Sequence, residues 1–323
     1  MTLNWTIIGT GTIANEMATA FNKNHTNIYG VFSRNKEKVE DFANRYLIDK
    51  RFNDLEDVFL DKNVDAVYIA TPHNTHFDIA KQALINGKHV FMEKAITLNK
   101  TDLDILETLA FEKNLILMEA MTIVHMPLMK ELKKKISQGE LGDIKNISVT
   151  HGSFKPYDEK NRFFNPDLGG GVLLDMGVYG VTGAMYFMNK YPDDVHSFVD
   201  FAPTTVDEQS VTILYNSNGE MATVSVSLQA KQPKALTISG TKGYFRIHDY
   251  PRADSGVWYH TETGKTEELK LGKTEDALFY EILDFEEVVK QPGKLNIYKQ
   301  ITDDVFKIFE EMKKDWSKQI SNK

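Results

Sequence analysis

Three groups of residues in this chain have types and spacing suited to chemistry: a glycine-rich turn near the start, a lysine that ends an apolar run, and a carboxylate and a phenol on a later helix. The turn is Gly9-Thr10-Gly11-Thr12-Ile13-Ala14, directly after the apolar run Trp5–Ile8. In a strand–turn–helix of this kind Gly9 permits the tight bend, Gly11 lets the backbone approach a pyrophosphate, and Ala14 lets helix and strand pack closely. The helix start then offers unpaired N–H groups and a positive dipole end to phosphates. A dinucleotide site is the expectation.

The identity of the dinucleotide is read further along. An NAD-specific site carries an acidic residue about 20 residues past the glycines, where it pairs with the ribose hydroxyls. This chain has Ser33-Arg34 there, with Lys36 and Lys38 close behind. A hydroxyl and a guanidinium would hold a 2′-phosphate by charge-assisted hydrogen bonds, and a carboxylate would repel it. NADP(H) is the preferred cofactor on this reading. NAD(H) stays open, because nothing here blocks a 2′-hydroxyl.

Two further segments follow. Ala70-Thr71-Pro72-His73-Asn74-Thr75-His76 ends the apolar run Val64–Ala70, and Glu93-Lys94-Ala95 ends His89–Met92. Ligands of doubly wound sheets lie beyond the C-terminal ends of the strands. An ammonium at the end of a buried strand is costly unless something compensates it, so Lys94 asks for a task. His73 and His76 are possible metal ligands, but no other group with metal-ligand spacing lies nearby, and no metal is expected. In the second half Leu168-Gly169-Gly170-Gly171 opens the apolar segment Val172–Met188. There Asp175 and Tyr179 sit four apart, which on an α-helix projects both from one face. Phe154, Arg162 and Phe163 are expected to wall a substrate pocket. For Arg162 and Phe163 a loop-anchoring role is the alternative. His125 fits either a cleft or an ordinary helix start.

The elements that must position these residues are legible in the apolar periodicity. Strand-like runs at Trp5–Ile8, Ile28–Phe32, Val64–Ala70, His89–Met92 and Leu115–Glu119 alternate with helical patterns, among them Thr101–Lys113. Such alternation predicts a parallel, doubly wound sheet. After about Thr122 period two dominates: Ile144–Phe154, Ser210–Tyr215, Glu220–Leu228, Ala235–Ser239 and Tyr244–His248, with hairpin turns at Asn216–Gly219 and Thr241–Gly243. Helices are expected near Pro127, over Val172–Met188, Ala277–Lys290 and Ile297–Lys314. The fold class is therefore α/β plus α+β. A Rossmann domain over 1–122 precedes a domain over 123–323 with an open-faced, mainly antiparallel sheet and helices on one side. The free sheet face is expected to join copies of the chain in a homo-oligomer, a dimer or tetramer.

Composition narrows the class. The 38 basic and 46 acidic residues give a formal charge of -8, which opposes unspecific binding to nucleic acid or anionic membrane. No cysteine occurs, which excludes disulfides, thiol nucleophiles and cysteine-ligated zinc. Met1-Thr2-Leu3-Asn4-Trp5 lacks the pattern of a signal peptide, and no apolar run is expected to reach the roughly 20 residues of a spanning helix. A cytoplasmic protein is expected.

Taken in order, Gly9–Ala14, Ala70–His76, Glu93-Lys94, Met118-Glu119-Ala120, Gly139–Gly142 and Leu168–Tyr179 resemble the motifs of the Gfo/Idh/MocA family of oxidoreductases over nearly the whole length. Gly177-Val178-Tyr179 after the aspartate looks like the branch of the dihydrodiol and NADP-dependent D-xylose dehydrogenases. The resemblance implies a nicotinamide between the two domains, a catalytic pair Lys94 and Tyr179, and the 70–76 loop, Glu93 and Lys94 against the cofactor. It also implies a small sugar-like substrate: a sugar, a polyol or a vicinal diol. An inositol, an amino sugar and a biliverdin-like ligand remain alternatives. A phenol near pKa 10 is a poor base at neutral pH, and a neighbouring ammonium lowers that value. On this reading Tyr179 moves the hydroxyl proton while hydride leaves, Lys94 tunes it, and Asp175 orients the pair or a sugar hydroxyl. The family commonly has proline after the lysine. Here Ala95 removes that fixed dihedral. A rival of another class is a sensor that binds NADP(H) or a sugar without turnover, and a sensor needs neither Lys94 nor Tyr179.

Overall fold

The alternating strands and helices of the first third fold as a parallel sheet. The computed structural model describes residues 3–23 and 26–321. Met1 and Thr2, the first residues of the N-terminal stretch read above, and residues 24, 25, 322 and 323 lie outside the described residues. Strands β1 (Trp5–Ile8), β2 (Ile28–Phe32), β3 (Lys50–Arg51), β4 (Ala66–Ile69), β5 (His89–Glu93) and β6 (Leu117–Ala120) lie in the order β3-β2-β1-β4-β5-β6. Every pairing among them is parallel. The strand order reverses between β1 and β4, so their C-terminal ends form the switch-point crevice of a doubly wound sheet.

Helices α1 (Thr12–Lys23), α2 (Lys36–Tyr46), α3 (Leu55–Leu60), α4 (His76–Ile85) and α5 (Lys100–Lys113) connect these strands. Their ends are set by short polar side chains. Asn35, Asp54 and Asn99 each accept a backbone N–H in the first turn that follows. Asn114 closes α5 in the left-handed region. β3 and α3 were not anticipated, because two residues of strand and six of helix are too short to show a period.

The contacts divide the chain into two units, Met1–Met121 with Glu275–Lys299, and Thr122–Thr274 with Gln300–Lys323. This differs from the expected single cut that left all of 123–323 in the second domain. The reason is the apolar stripe of the helix Ala277–Lys290: Leu278, Ile282, Phe285 and Val288 are buried in the core of the first unit. The Phe285 ring lies 4.9 Å from Trp5 and 5.0 Å from Phe91. The stripe was legible as a helix face, but its destination was not.

The second unit holds α6 (Thr122–His125), α7 (Pro127–Ser137), β7 (Ile144–Gly152), α8 (Val178–Phe187), β8 (Asp194–Phe201), β9 (Asp207–Tyr215), β10 (Met221–Ser227), β11 (Gln232–Gly240), β12 (Gly243–His248), β13 (Ser255–His260) and β14 (Thr266–Lys270). Its sheet runs β14-β13-β12-β11-β7-β10-β9-β8. It is antiparallel except where β7 meets β10. β8 and β14 are the edges, and they escaped the period-two pattern because edge strands bury little; β13, which pairs with both β12 and β14, was not anticipated either. α8 packs against the inner face so closely that a Cβ on Gly180 would lie 2.7 Å from Val224.

Two expectations for the segment before and within α8 are corrected. Residues Pro166–Phe187 do reach the length and apolarity of a spanning helix, but most of this window is buried inside the protein, as in a core helix. The segment also does not run as one α-helix: Leu173–Gly177 is a π-turn, closed by the Val178 N–H on the Leu173 carbonyl. Asp175 lies within this wider turn, and Tyr179 lies in the α-helical stretch that follows it.

Candidate active site

The first unit builds a cleft at its switch point. Gly9 has φ +119, and a Cβ there would sit 2.4 Å from the Ala70 carbonyl oxygen. The turn is thus pressed onto the end of β4, and only glycine fits. A Cβ at Gly11 would meet nothing within 4 Å, so this backbone faces open space at the start of α1. Asn15 ties the turn in place: its amide donates to the Gly11 carbonyl at 2.8 Å and its Oδ1 accepts from Arg45 at 2.9 Å. Ala14 is wholly buried and Ile13 packs against the same core, so these two serve packing.

A cavity of about 800 Å³ opens from this turn. Gly9, Thr10, Gly11, Ser33, Arg34, Lys38, Ala70, Thr71, Pro72 and Asn74 line it, with Asn35, Asn53 and Asp54. Thr12 borders a shallower depression beside it. Asn35, as the cap of α2, accepts the Lys38 N–H at 3.0 Å and so fixes the turn that carries Arg34. These residues fit a dinucleotide: a helix start and an open glycine for the pyrophosphate, and a hydroxyl with two cationic side chains on β2–α2 for a ribose phosphate. Asn15 and Asn35 were missed, because capping asparagines look like any loop residue in a sequence.

Three of the residues expected against the cofactor, His76, His73 and Glu93, have partners within the first unit. His76 is fully buried, with Nδ1 3.0 Å from the Ala95 carbonyl and Nε2 2.9 Å from the Thr71 carbonyl. Burial, reinforced by His73, pushes its pKa down to about 4 against the pull of those carbonyls. At neutral pH the ring is therefore uncharged and donates to one carbonyl only. His73 places Nε2 3.1 Å from the Lys94 carbonyl. The Glu93 carboxylate accepts the Tyr68 hydroxyl. None of these three lines the cavity, and neither does Lys94. The two histidines hold the backbone of the lysine turn instead, joined by Glu119, whose Oε1 accepts the Ile96 N–H at 3.0 Å. The Lys94–Ala95 peptide bond is cis. Three side chains thus grip a turn for which the replacement of proline by Ala95 had suggested a loss of constraint.

The second unit carries the other reactive groups. The Asp175 carboxylate lies 3.6 Å from the Arg162 guanidinium, which stacks at 4.1 Å over the Phe163 ring. Lys155 approaches the same ring at 4.6 Å, and Phe154 beside it is exposed. Arg162 thus links the aspartate to the Phe163 ring, and the Phe163 carbonyl accepts the Gly171 N–H. Tyr179 lies instead against His151, with ring centroids 6.1 Å apart. His151 in turn meets Tyr250, whose hydroxyl is 3.4 Å from Nδ1. Burial, then the nearby Tyr179, pushes the Tyr250 phenol well above its ordinary range. It stays protonated and can donate to Nδ1. Sequence reading missed His151 and Tyr250, a strand residue and the first residue of the 3₁₀ turn Tyr250–Arg252, which only the fold brings together. His125, left open above, is a buried residue of α6.

Both units have counterparts among known proteins. Residues 3–121 match the oxidoreductase family with an NAD-binding Rossmann fold, and residues 129–246 match the Gfo/Idh/MocA C-terminal domain. A trans-1,2-dihydrobenzene-1,2-diol dehydrogenase of Xenopus laevis is 32% identical over 262 residues, covering 80% of this chain and 78% of that protein. The NADP-dependent scyllo-inositol 2-dehydrogenase of Bacillus subtilis is 26% identical over 90% of this chain and 89% of its own. Among solved structures, an aldose–aldose oxidoreductase of Caulobacter crescentus has the same fold, with a TM-score of 0.88 at 19% identity over 99% of this chain and 98% of that one. A levoglucosan dehydrogenase complex with NADH and levoglucosan reaches 0.85 at 20% identity, over 98% of each chain. With both domain types matched in order over most of its length, the chain belongs to the Gfo/Idh/MocA oxidoreductase family.

Proposed function

We propose that this protein is a dehydrogenase with a preference for NADP(H) that moves a hydride between nicotinamide and a secondary alcohol of a sugar, polyol or vicinal diol. The observation that carries the reading is the first-unit cleft, where an open Gly11 backbone and the Ser33, Arg34 and Lys38 side chains line one cavity. The family membership and the relatives that act on diols and inositols support it. When bound, the nicotinamide would supply the hydride acceptor or donor at its C4 carbon. Tyr179 would take the hydroxyl proton in oxidation and return it in reduction. Lys94 would favour the phenolate and polarise the substrate oxygen. Asp175, charge-compensated by Arg162, would orient a substrate hydroxyl.

The setting this reading assumes is a cytoplasmic homo-oligomer. The outer face of the second unit's sheet exposes Phe198, Val211, Ile213, Tyr215 and Met221 on β8, β9 and β10, an apolar patch suited to a second copy. The test of function is a panel of pyranoses, inositols and vicinal diols with NADP and with NAD, read at the reduced-nicotinamide absorbance. Turnover is expected with at least one class, and Tyr179→Phe should lower kcat by about 100-fold or more while NADP(H) binding stays within about 2-fold. Normal turnover by Tyr179→Phe would remove the proton-transfer assignment.

A further inference from the structure

We infer that Asp207 is the positioning residue for the segment that carries Asp175 and Tyr179, an inference that rests on the proposed role of Tyr179. Asp207 begins β9, 34 positions after the residue it holds. Its Oδ2 accepts the Leu173 N–H at 2.6 Å, which is the first residue of the π-turn. This N–H belongs to a helix start, and such groups need an acceptor from outside the helix. A carboxylate at that end also meets the positive end of the helix dipole.

The glycine run is shaped around the same carboxylate. Gly171 has φ +114, and a Cβ there would lie 2.3 Å from Asp207 Oδ1. Glycine is thus required at 171 twice, for its backbone conformation and for the room Asp207 occupies. The preceding turn is knitted to the substrate-side loop: Gly170 donates to the Asn165 carbonyl and Gly171 to the Phe163 carbonyl. Among the described residues, Asp207 is the side chain that links this loop-and-turn assembly to the sheet at the Leu173 N–H. Rotating the entry of the turn would swing Asp175 and Tyr179 together. Misplacement by about 1 Å can cost on the order of 100-fold in rate.

The charge on Asp207 strengthens this hold. Burial pushes its carboxyl up to about 7, opposed by the N–H groups of Leu173, Val172 and Asp207 itself and by the ammonium of Lys313 on the C-terminal helix. The neighbouring Glu208 is turned to Gln229 instead. Ionised Asp207 is the stronger acceptor, so the site segment is held best above about pH 7.

The experiment compares Asp207→Ala and Asp207→Asn with the wild type and with Tyr179→Phe, on the active substrate and NADP. Asp207→Ala should lose about 10-fold or more in kcat with the Kd for NADP(H) within about 2-fold. Asp207→Asn keeps an uncharged acceptor and should recover most of kcat. In the wild type kcat should rise as pH passes through about 7, and Asp207→Asn should lack that rise. A folded Asp207→Ala with wild-type kcat overturns the inference. If that variant does not fold, Asp207→Asn decides: an unchanged pH profile overturns it equally. Wild-type turnover by Tyr179→Phe instead defeats the underlying reading, which separates the two failures.

Discussion

The Nδ1 of His76 stands 3.0 Å from the carbonyl of Ala95, the residue that follows Lys94. His76 is therefore a buried strut for the lysine turn. Its role makes a prediction about acid.

His76 titrates near 6.5 in the unfolded chain and at about 4 in the folded one. Between those values the unfolded state binds the proton and the folded state does not. Stability is fully present above about pH 6.5 and is lost as pH falls toward 4, by on the order of 3 kcal/mol from this group. Urea denaturation at pH 7.5, 6.0 and 4.5 should show this slope, and His76→Asn, which cannot titrate, should show a shallower one. Equal slopes in both proteins would mean that His76 is not the buried neutral group described here.

A second prediction concerns cofactor choice. Arg34 and Lys38 line the cavity on β2–α2, and Ser33 stands where an acidic residue normally reads the ribose hydroxyls of NAD. A charge-assisted hydrogen bond to a 2′-phosphate contributes about 1.5–3 kcal/mol, or about 10–100-fold in affinity. Arg34→Ala should raise KM for NADP by that factor and leave KM for NAD within about 2-fold. Equal increases for both cofactors would show that Arg34 does not recognise the phosphate.

Which parts of this site were legible follows from the range of the interactions. Gly9, Gly11 and Ala14 could be read because a strand, a turn and a helix start are consecutive, and the need for small residues is local. The stripe Leu278, Ile282, Phe285 and Val288 declared a helix but not that it would cover Trp5 and Phe91. The contacts of His76 were not legible, because a backbone carbonyl has no sequence signature. The π-turn at Leu173–Gly177, which carries Asp175, has no signature in the apolar pattern. Asp207, Glu119 and His151 act through partners 34, 23 and 99 positions away, and no spacing rule reaches that far.

The last prediction tests the outer sheet face. Phe198 on β8 lies directly opposite Val211 on β9, and both side chains are exposed, Phe198 to 67%. Ile213, Tyr215 and Met221 extend the patch, with Tyr215 directly opposite Met221 across β9 and β10. Apolar side chains paired across strands and left in water favour burial against a second copy. A charge at the centre of such a contact has no partner and opposes it. Light scattering should give the wild type a multiple of the 36.8 kDa chain mass, and the double variant Phe198→Lys and Val211→Lys should scatter as single chains. Both positions are solvent-facing in the isolated chain, so the double variant should keep its thermal midpoint as a monomer within a few degrees. A wild type that scatters as one chain at micromolar concentration, or a double variant that still assembles, would place the interface elsewhere or nowhere.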